Sequence, residues 1–178
     1  MSDLISPEYL DQLHKMRAAN HRPNWGNGGQ KHVEPLLRII EEYNPKSVLD
    51  YGCGHWTILS VLSLKLGTKI PKLGGYDPGI PSRATLPEPA DLVFSTDVLE
   101  HIEPDKLESV LDHIRTLTLR VAYLNVHTSK ATAILPDGRN AHLIQQPREW
   151  WQAKFESRFI SVEYLGGGPI RPTFKCLV

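Results

Sequence analysis

Hydrophobic residues recur along the chain in two alternating periods from residue 31 onward. Val33, Leu36, Leu37 and Ile40 have the three- and four-residue spacing of an amphipathic helix. Short apolar runs between turn residues instead predict buried strands. The predicted helices cover residues 31–43, 56–66, 104–118 and 147–158, and the predicted strands cover residues 47–50, 72–77, 91–95, 119–126, 159–165 and 173–178.

Strands that alternate with helices in this order predict an α/β fold with a mostly parallel sheet. Ligands bind such sheets beyond the carboxyl ends of the strands. Residues 1–30 are polar and carry no predicted element, and residues 127–146 form a long polar loop. The 178 residues suffice for one domain with a full core.

The end of the first predicted strand carries the clearest sign of a ligand site. Asp50 is followed by Gly52 and Gly54, and a predicted helix begins directly afterwards. Glycines let the backbone pass close to a ligand, and the first turn of a helix presents unpaired N–H groups. Asp77 lies 25 residues after Gly52, at the end of the second strand. A carboxylate there can accept hydrogen bonds from both ribose hydroxyls.

The same residues discriminate between nucleoside cofactors. A dinucleotide fingerprint needs a third glycine at the position of Thr57. Asp50 lies inside the turn, where its carboxylate would repel a pyrophosphate but not a sulfonium or an amino group. The pattern therefore favours S-adenosylmethionine over NAD.

Three segments resemble the motifs of class I S-adenosylmethionine-dependent methyltransferases. They are Val48 to Gly54 for the first motif, Gly75 to Pro78 for the second, and Asp91 to Ile102 for the motif of the fourth strand. The resemblance runs from residue 31 to the end of the chain. The brevity of the chain and its first 30 residues are similar to small methyltransferases found in bacteriophage genomes.

This resemblance implies a Rossmann-like sheet of seven strands, mostly parallel with the last strand antiparallel. It implies a methyltransferase domain over residues 31–178, preceded by a lid or substrate segment over residues 1–30. Gly52 and Gly54 would approach the methionine moiety, Asp50 would hold its amino end, and Asp77 would bind the ribose. The other residues assigned to the cofactor are Tyr51, Cys53, Pro78, Thr96, Asp97 and Val98, together with Trp25 and Gly26 over the methionine carboxylate. For Asp97 a helix-capping role is an equal alternative.

The chain departs from the family between the second and fourth strands. Only 13 residues separate Asp77 from the next strong strand, where the family has a helix and a third strand. At most a short strand fits there, at residues 83–86, so we expect a shortened sheet. The family's adenine-contacting acid has no counterpart, which leaves adenine to Leu86 or to backbone groups.

Three histidines, His101, His127 and His142, fall on the side where a methyl acceptor should lie. Any one of them is a candidate general base for an oxygen or nitrogen nucleophile. A helix would place Asp97, Glu100 and His101 on one face, since they lie at i, i+3 and i+4. With His142, they resemble the metal-binding set of small-RNA 3′-terminal 2′-O-methyltransferases, with Asp97 in place of a Glu. The segment from Asp97 to Ile102 also resembles a motif that is widespread in methyltransferases without metal. We therefore expect no metal, and we keep these four residues as an alternative metal-binding set.

Charge and cysteine content restrict the classes of partner and the cellular location that we expect. The chain has 20 basic and 20 acidic residues, so its charge does not indicate a nucleic-acid partner. We expect methyl transfer to an oxygen or nitrogen of a small molecule. A metal-dependent RNA 2′-O-methyltransferase and a catalytically silent cofactor-binding module are the alternatives. Two cysteines and the absence of an apolar run of about 18 residues predict a cytoplasmic protein with no membrane partner.

Overall fold

A six-stranded sheet forms the centre of the molecule in the computed structural model, which describes residues 3–18, 29–69 and 72–178. Its strands are β1 (Ser47–Tyr51), β2 (Lys72–Tyr76), β3 (Ala90–Thr96), β4 (Thr118–Asn125), β5 (Ser161–Gly166) and β6 (Thr173–Leu177). They lie in the order β2-β1-β3-β4-β6-β5. β1 is parallel to β2 and β3, and β3 is parallel to β4. β6 is antiparallel to both of its neighbours, so the predicted α/β sheet with an antiparallel last strand is confirmed.

Five α-helices accompany the sheet in the described part of the chain. They are α1 (Pro7–Ala18), α2 (Val33–Tyr43), α3 (Thr57–Leu66), α4 (Leu107–Leu117) and α5 (Arg148–Glu156). A 3-10 turn, Gln30–His32, precedes α2 and accounts for the earlier start predicted for that helix. α4 begins three residues after the predicted start, because residues 103–106 form a separate turn closed by the Lys106 N–H on the Glu103 carbonyl at 2.9 Å.

The sequence did not predict α1, which lies in the segment expected to have no regular element. Its first turn is capped by Ser6, whose Oγ accepts the Tyr9 N–H at 3.0 Å. Pro7 occupies the first helical position, where a missing N–H has no cost. Tyr9 and Met16 are buried, but polar residues surround them along the helix. The sequence therefore shows no clear helical spacing of hydrophobic residues in this segment.

The link between β2 and β3 contains a 3-10 turn, Pro81–Arg83, and no strand. The short strand expected at residues 83–86 was therefore wrong, and the sheet has six strands where the resemblance implied seven. Arg83 belongs to this turn, and its carbonyl accepts the Asp77 N–H at 3.0 Å, so the chain folds back toward the end of β2 instead of running extended beside it. The predicted shortening is confirmed, and it leaves β2 as an edge strand of the described sheet.

Two apolar layers cover the faces of the sheet because side chains alternate along each strand. Leu92 and Phe94 of β3 pack with α2 and α3, whereas Val93 packs with α4 and α5. Trp151 of α5 is fully buried. Burial of one such side chain stabilises a fold by about 1.5–3 kcal/mol. The two layers fix the carboxyl ends of β1 to β4 at one edge of the sheet.

A third, smaller apolar cluster joins α1 to the loop after β4. Tyr9 and Met16 pack against Ala133, Leu135 and Ala141. None of the described helices is both long enough and apolar enough to cross a membrane.

Candidate functional site

A cavity of about 610 Å³ opens at the carboxyl ends of β1, β2 and β3. The structure brings ten of the twelve predicted cofactor residues to its walls: Asp50, Tyr51, Gly52, Cys53, Gly54, Asp77, Pro78, Thr96, Asp97 and Val98. The other two, Trp25 and Gly26, lie outside the described residues. Residues from three different strand ends thus surround one space large enough for a nucleoside ligand.

The turn after β1 requires glycine. Gly52 has φ = 90°, and a Cβ at this position would lie 2.3 Å from Cγ2 of Val98. The N–H groups of Gly52 and Cys53 both donate to the Tyr76 carbonyl, at 2.7 and 3.1 Å. The turn is thereby tied to the end of β2, where Asp77 follows.

Asp77 has a buried carboxylate that is held by three groups. Its Oδ2 accepts the Gly54 N–H at 3.1 Å and its Oδ1 accepts the Gly79 N–H at 2.9 Å. Nη2 of Arg17 lies 3.3 Å from Oδ1 and 3.2 Å from Oδ2 of Asp77, and Nη1 of Arg17 donates to the Gly79 carbonyl. A guanidinium from α1 therefore occupies the position predicted for the ribose hydroxyls. Sequence reasoning missed Arg17, because nothing local links residue 17 to residue 77.

Asp50 and Cys53 differ in what they offer a ligand. Burial raises the pKa of Asp50 well above its ordinary value, and the nearby Asp77 raises it further. A cationic ligand group would favour the ionised form of Asp50. Burial also raises the pKa of the Cys53 thiol to about 12, which agrees with a packing role and not with a nucleophile.

Asp97 forms the wall of the cavity nearest to α2. Its backbone is left-handed, with φ = 53°. Its carboxylate accepts hydrogen bonds from Nη1 of Arg171 at 2.7 Å and from Nζ of Lys31 at 3.1 Å. Burial works against ionisation, but the two cations hold the pKa of Asp97 below its ordinary value. Asp97 lines the cavity, and among the residues that the structure describes its carboxylate is hydrogen-bonded by side-chain cations.

Glu100, His101 and His142 form a tight cluster beside this cavity. One potential ligand atom from each lies within 4.8 Å of the others. The carbonyls of Ala141 and Ser129 can only accept hydrogen bonds, so His101 and His142 carry their protons on Nδ1, at 2.7 and 2.5 Å from those oxygens. Both rings therefore present an unprotonated Nε2 at neutral pH.

The Glu100 carboxylate is fully buried, and neither oxygen has a hydrogen-bond partner of normal geometry among the described residues. Burial raises the pKa of Glu100 to about 8. Burial and the neighbouring His142 lower the pKa of His101 to about 4. A buried acid beside two unprotonated nitrogens is an arrangement that a divalent cation would satisfy.

The predicted metal set differs from this cluster in one member. Asp97 was expected on one helical face with Glu100 and His101. The backbone instead makes a 3-10 turn over Leu99–His101 after the left-handed Asp97. The continuous helix behind that expectation was wrong, and the Asp97 carboxylate lies with Lys31 and Arg171.

His127 adjoins the cluster but has the opposite tautomer. Its ring centroid is 4.7 Å from that of His142. Its Nδ1 accepts the Ser129 N–H at 3.2 Å, so the proton lies on Nε2. Among the three candidate bases, His101 and His142 thus have an unprotonated Nε2, whereas Nε2 of His127 carries the proton. His101 also lines the cavity, so the cluster adjoins it.

α1 and the residues before it contribute further side chains to the site that the sequence did not predict. Tyr9, Leu13 and Arg17 of α1 line the cavity together with Leu4 and Ile5, which precede the helix. At the start of the helix, the N–H and Oγ of Ser6 donate to the Glu103 carboxylate at 2.9 and 2.5 Å. The Ser6-Pro7 capping signal is what could have revealed this helix from the sequence.

Solved structures show which fold this arrangement belongs to. The methyltransferase domain of bacterial-CtHen1-CN superposes with a TM-score of 0.63 at 16% identity, over 84% of this chain and 98% of that one. A Burkholderia thailandensis 1,6-didemethyltoxoflavin-N1-methyltransferase, solved with S-adenosylhomocysteine, gives 0.59 at 13% identity, over 98% and 91%. The chain has a methyltransferase fold.

A third structure, the small RNA methyltransferase HEN1, matches with a TM-score of 0.64 at 16% identity, over 82% of this chain and 24% of that larger one. No protein-family model and no curated protein matches the sequence. The methyltransferase fold is therefore established by structure, and the activity has to be argued from the site.

Proposed function

We propose that this protein is an S-adenosylmethionine-dependent methyltransferase that acts on an oxygen or nitrogen nucleophile, with a small molecule as the favoured acceptor. The observation that carries the proposal is the single cavity on a methyltransferase fold where Asp50, the Gly52 turn and Asp77 meet. Bound S-adenosylmethionine would supply an electrophilic methyl group on a sulfonium.

The chain's own groups fit this cofactor. The buried Asp50 carboxylate would accept from the amino end, and the open backbone at Gly52 and Gly54 would admit the methionine chain. Asp77 would accept from the ribose hydroxyls after Arg17 has left it. On the acceptor side, His101 or His142 would accept the nucleophile's proton at Nε2, and His127 would donate from Nε2.

Calorimetry with S-adenosylmethionine and S-adenosylhomocysteine tests the cofactor. We expect both to bind, and no binding of either at millimolar concentration would reject the proposal. Incubation with labelled cofactor and fractionated cell extract then identifies the acceptor. Tight binding without any labelled product would instead favour a silent cofactor-binding module.

A second candidate function is metal-dependent 2′-O-methylation of RNA, which the cluster of the buried Glu100 carboxylate with His101 and His142 favours. These three residues would hold a divalent cation. The Nδ1–H groups of His101 and His142 donate to the Ala141 and Ser129 carbonyls. These carbonyls would orient both rings, as outer partners of metal-binding histidines commonly do. A bound cation would supply Lewis-acid polarisation of a hydroxyl.

Mn²⁺ binding by calorimetry tests this second candidate. We expect one site in the wild type, and at least tenfold weaker binding in His142→Ala, because a ligand nitrogen is removed. His14→Ala, which changes an exposed histidine of α1, is the matched control. Full methyl transfer in the presence of a chelator would exclude a metal-dependent reaction.

The remaining expectations also stand as proposals. The similarity to small bacteriophage methyltransferases rests on the brevity of the chain. The cytoplasmic location rests on its cysteines, Cys53 and Cys176, both of which are buried and free. The lid role of residues 1–30 is supported by α1, which lines the cavity.

A further inference from the structure

The turn between β5 and β6 lies directly beside the histidine cluster. The Val126 and Thr128 N–H groups donate to the carbonyls of Pro172 and Ile170, at 3.2 and 3.0 Å. Oγ1 of Thr128 donates to the Pro169 carbonyl at 2.7 Å. Because His127 lies between Val126 and Thr128, this turn borders the space next to the rings of His127 and His142.

A second cavity begins at this turn and is separate from the cofactor cavity. It measures about 500 Å³, and its walls are Thr128, Gln145, Pro147, Arg148, Glu149, Tyr164, Gly168 and Pro169. Its near end reaches the cluster, since Nε2 of Gln145 donates to the His142 carbonyl at 2.9 Å. We call it the hairpin groove.

An aromatic and cationic pair forms the far wall of the hairpin groove. The Arg148 guanidinium carbon lies 4.9 Å from the centroid of the Tyr164 ring, a stacked cation–π distance. Tyr164 is 37% exposed and the Arg148 side chain is 38% exposed. Nη2 of Arg148 also donates to Oε1 of Glu149 at 2.7 Å, and the exposed parts of Arg148 and Tyr164 are accessible to a flat ligand.

Arg171 places a second positive charge beside this turn. It follows the groove residue Pro169 by two positions, and its N–H donates to the Gly167 carbonyl at 3.3 Å. Its side chain is 43% exposed and reaches Asp97 at 2.7 Å. The exposed part of this guanidinium would pair with an anionic group of the acceptor.

We propose that the hairpin groove is the acceptor's orienting subsite and takes a nucleotide unit, with its base against Tyr164 and Arg148 and its phosphate toward Arg171. This proposal rests on the proposed methyltransferase function and names the chemical class of its acceptor. Aromatic rings and guanidinium planes stack on any base, and a guanidinium pairs with phosphate. The nucleotide unit could belong to a free nucleotide or to a single-stranded RNA end.

Fluorescence anisotropy with a labelled single-stranded RNA trinucleotide tests the subsite, with an unlabelled mononucleotide as competitor. Tyr164→Ala and Arg148→Ala should each weaken trinucleotide binding about tenfold, because stacking is lost. Tyr164→Phe keeps the ring and should bind within about twofold of the wild type. Arg38→Ala, an exposed arginine of α2, is the matched control for lost charge.

A free nucleotide and an RNA end as the natural ligand would give different results in the competition experiment. A mononucleotide that competes as well as an unlabelled trinucleotide, with the same sensitivity to Tyr164→Ala, assigns the groove to a free nucleotide. Much weaker competition assigns it to an RNA end. Unchanged binding in both alanine variants, or no nucleotide binding to the wild type, overturns the subsite. Cofactor calorimetry on the same preparations decides the methyltransferase proposal separately.

Discussion

Asp77 is the residue on which the cofactor assignment depends most directly. Its carboxylate already accepts two backbone N–H groups, so it is fixed in position before any ligand arrives. We predict that Asp77→Ala weakens S-adenosylhomocysteine binding by about 1–3 kcal/mol, because hydrogen bonds to a charged group are lost. Isothermal titration measures this. Asp105→Ala, an exposed position, is the control, and unchanged affinity in Asp77→Ala would reject the ribose assignment.

His32 is a buried titratable group whose role lies in stability. Its Nδ1 is 2.8 Å from the Tyr123 hydroxyl, and its Nε2 has no hydrogen-bond partner among the described residues. Burial, reinforced by Lys31, lowers the pKa of His32 from 6.5 to about 4. Between these values the unfolded chain binds a proton that the folded chain excludes, so stability is lost as the pH falls from 6.5 toward 4.

We therefore predict that His32→Gln reduces the loss of unfolding free energy between pH 7 and pH 5 by about 1–2 kcal/mol. Urea denaturation at both pH values measures the difference, whatever the absolute stability of the variant. His14→Gln should keep the wild-type dependence, since His14 is exposed. An equal pH dependence in the wild type and His32→Gln would contradict the burial argument.

At the scale of elements, α1 is held across the cofactor cavity at both ends. Ser6 bonds Glu103 at one end, and Arg17 pairs with Asp77 at the other. The middle of the helix packs on Ala133, Leu135 and Ala141, which belong to the loop that carries His142. One helix thus contacts the cofactor cavity and the acceptor loop together.

This geometry predicts that Arg17 competes with the ribose for Asp77. Arg17→Ala should bind S-adenosylhomocysteine about fivefold more tightly, because a half-buried ion pair worth about 1 kcal/mol no longer has to be broken. Titration calorimetry gives the comparison, and Lys15→Ala, an exposed lysine paired with Asp11, is the control. Weaker binding in Arg17→Ala would show that Arg17 orients Asp77 for the ribose instead.

At the scale of the whole molecule, the short link between β2 and β3 changes which strands are protected. β3 and β4 lie at the centre of the sheet, whereas β2 and β5 lie at its edges. An edge strand leaves half of its backbone groups without a neighbouring strand. The shortened sheet therefore exposes β2, which the expected third strand would have covered.

We predict that amide hydrogens of β3 and β4 exchange slowest, close to the rate of global unfolding, and that those of β2 and β5 exchange faster through local opening. Hydrogen exchange with mass spectrometry resolves these segments. Protection of β2 equal to that of β3 would contradict the prediction and would indicate that another chain pairs with this edge.

Local patterns predicted most of the secondary structure because each depends on neighbouring residues. The apolar spacing of Val33 to Ile40 and the run at Asp91 to Ser95 reflect one helix face and one buried strand, and both elements formed there. The Gly52 turn and Asp77 could be placed in one site because strand ends of a parallel sheet meet at one edge. The sequence by itself thus determined the fold class and ten of the residues that line the cavity.

Tertiary structure decided what depends on contacts between distant residues. Arg17 and Asp77 are 60 positions apart, and no local period records their pairing. The left-handed backbone of Asp97 separates it from Glu100 and His101, although their spacing suggested one helical face. The tautomers of His101, His127 and His142 depend on carbonyl and N–H groups that only packing brings to each ring. Side-chain chemistry in this site is therefore set by burial and partners, which the order of residues alone does not contain.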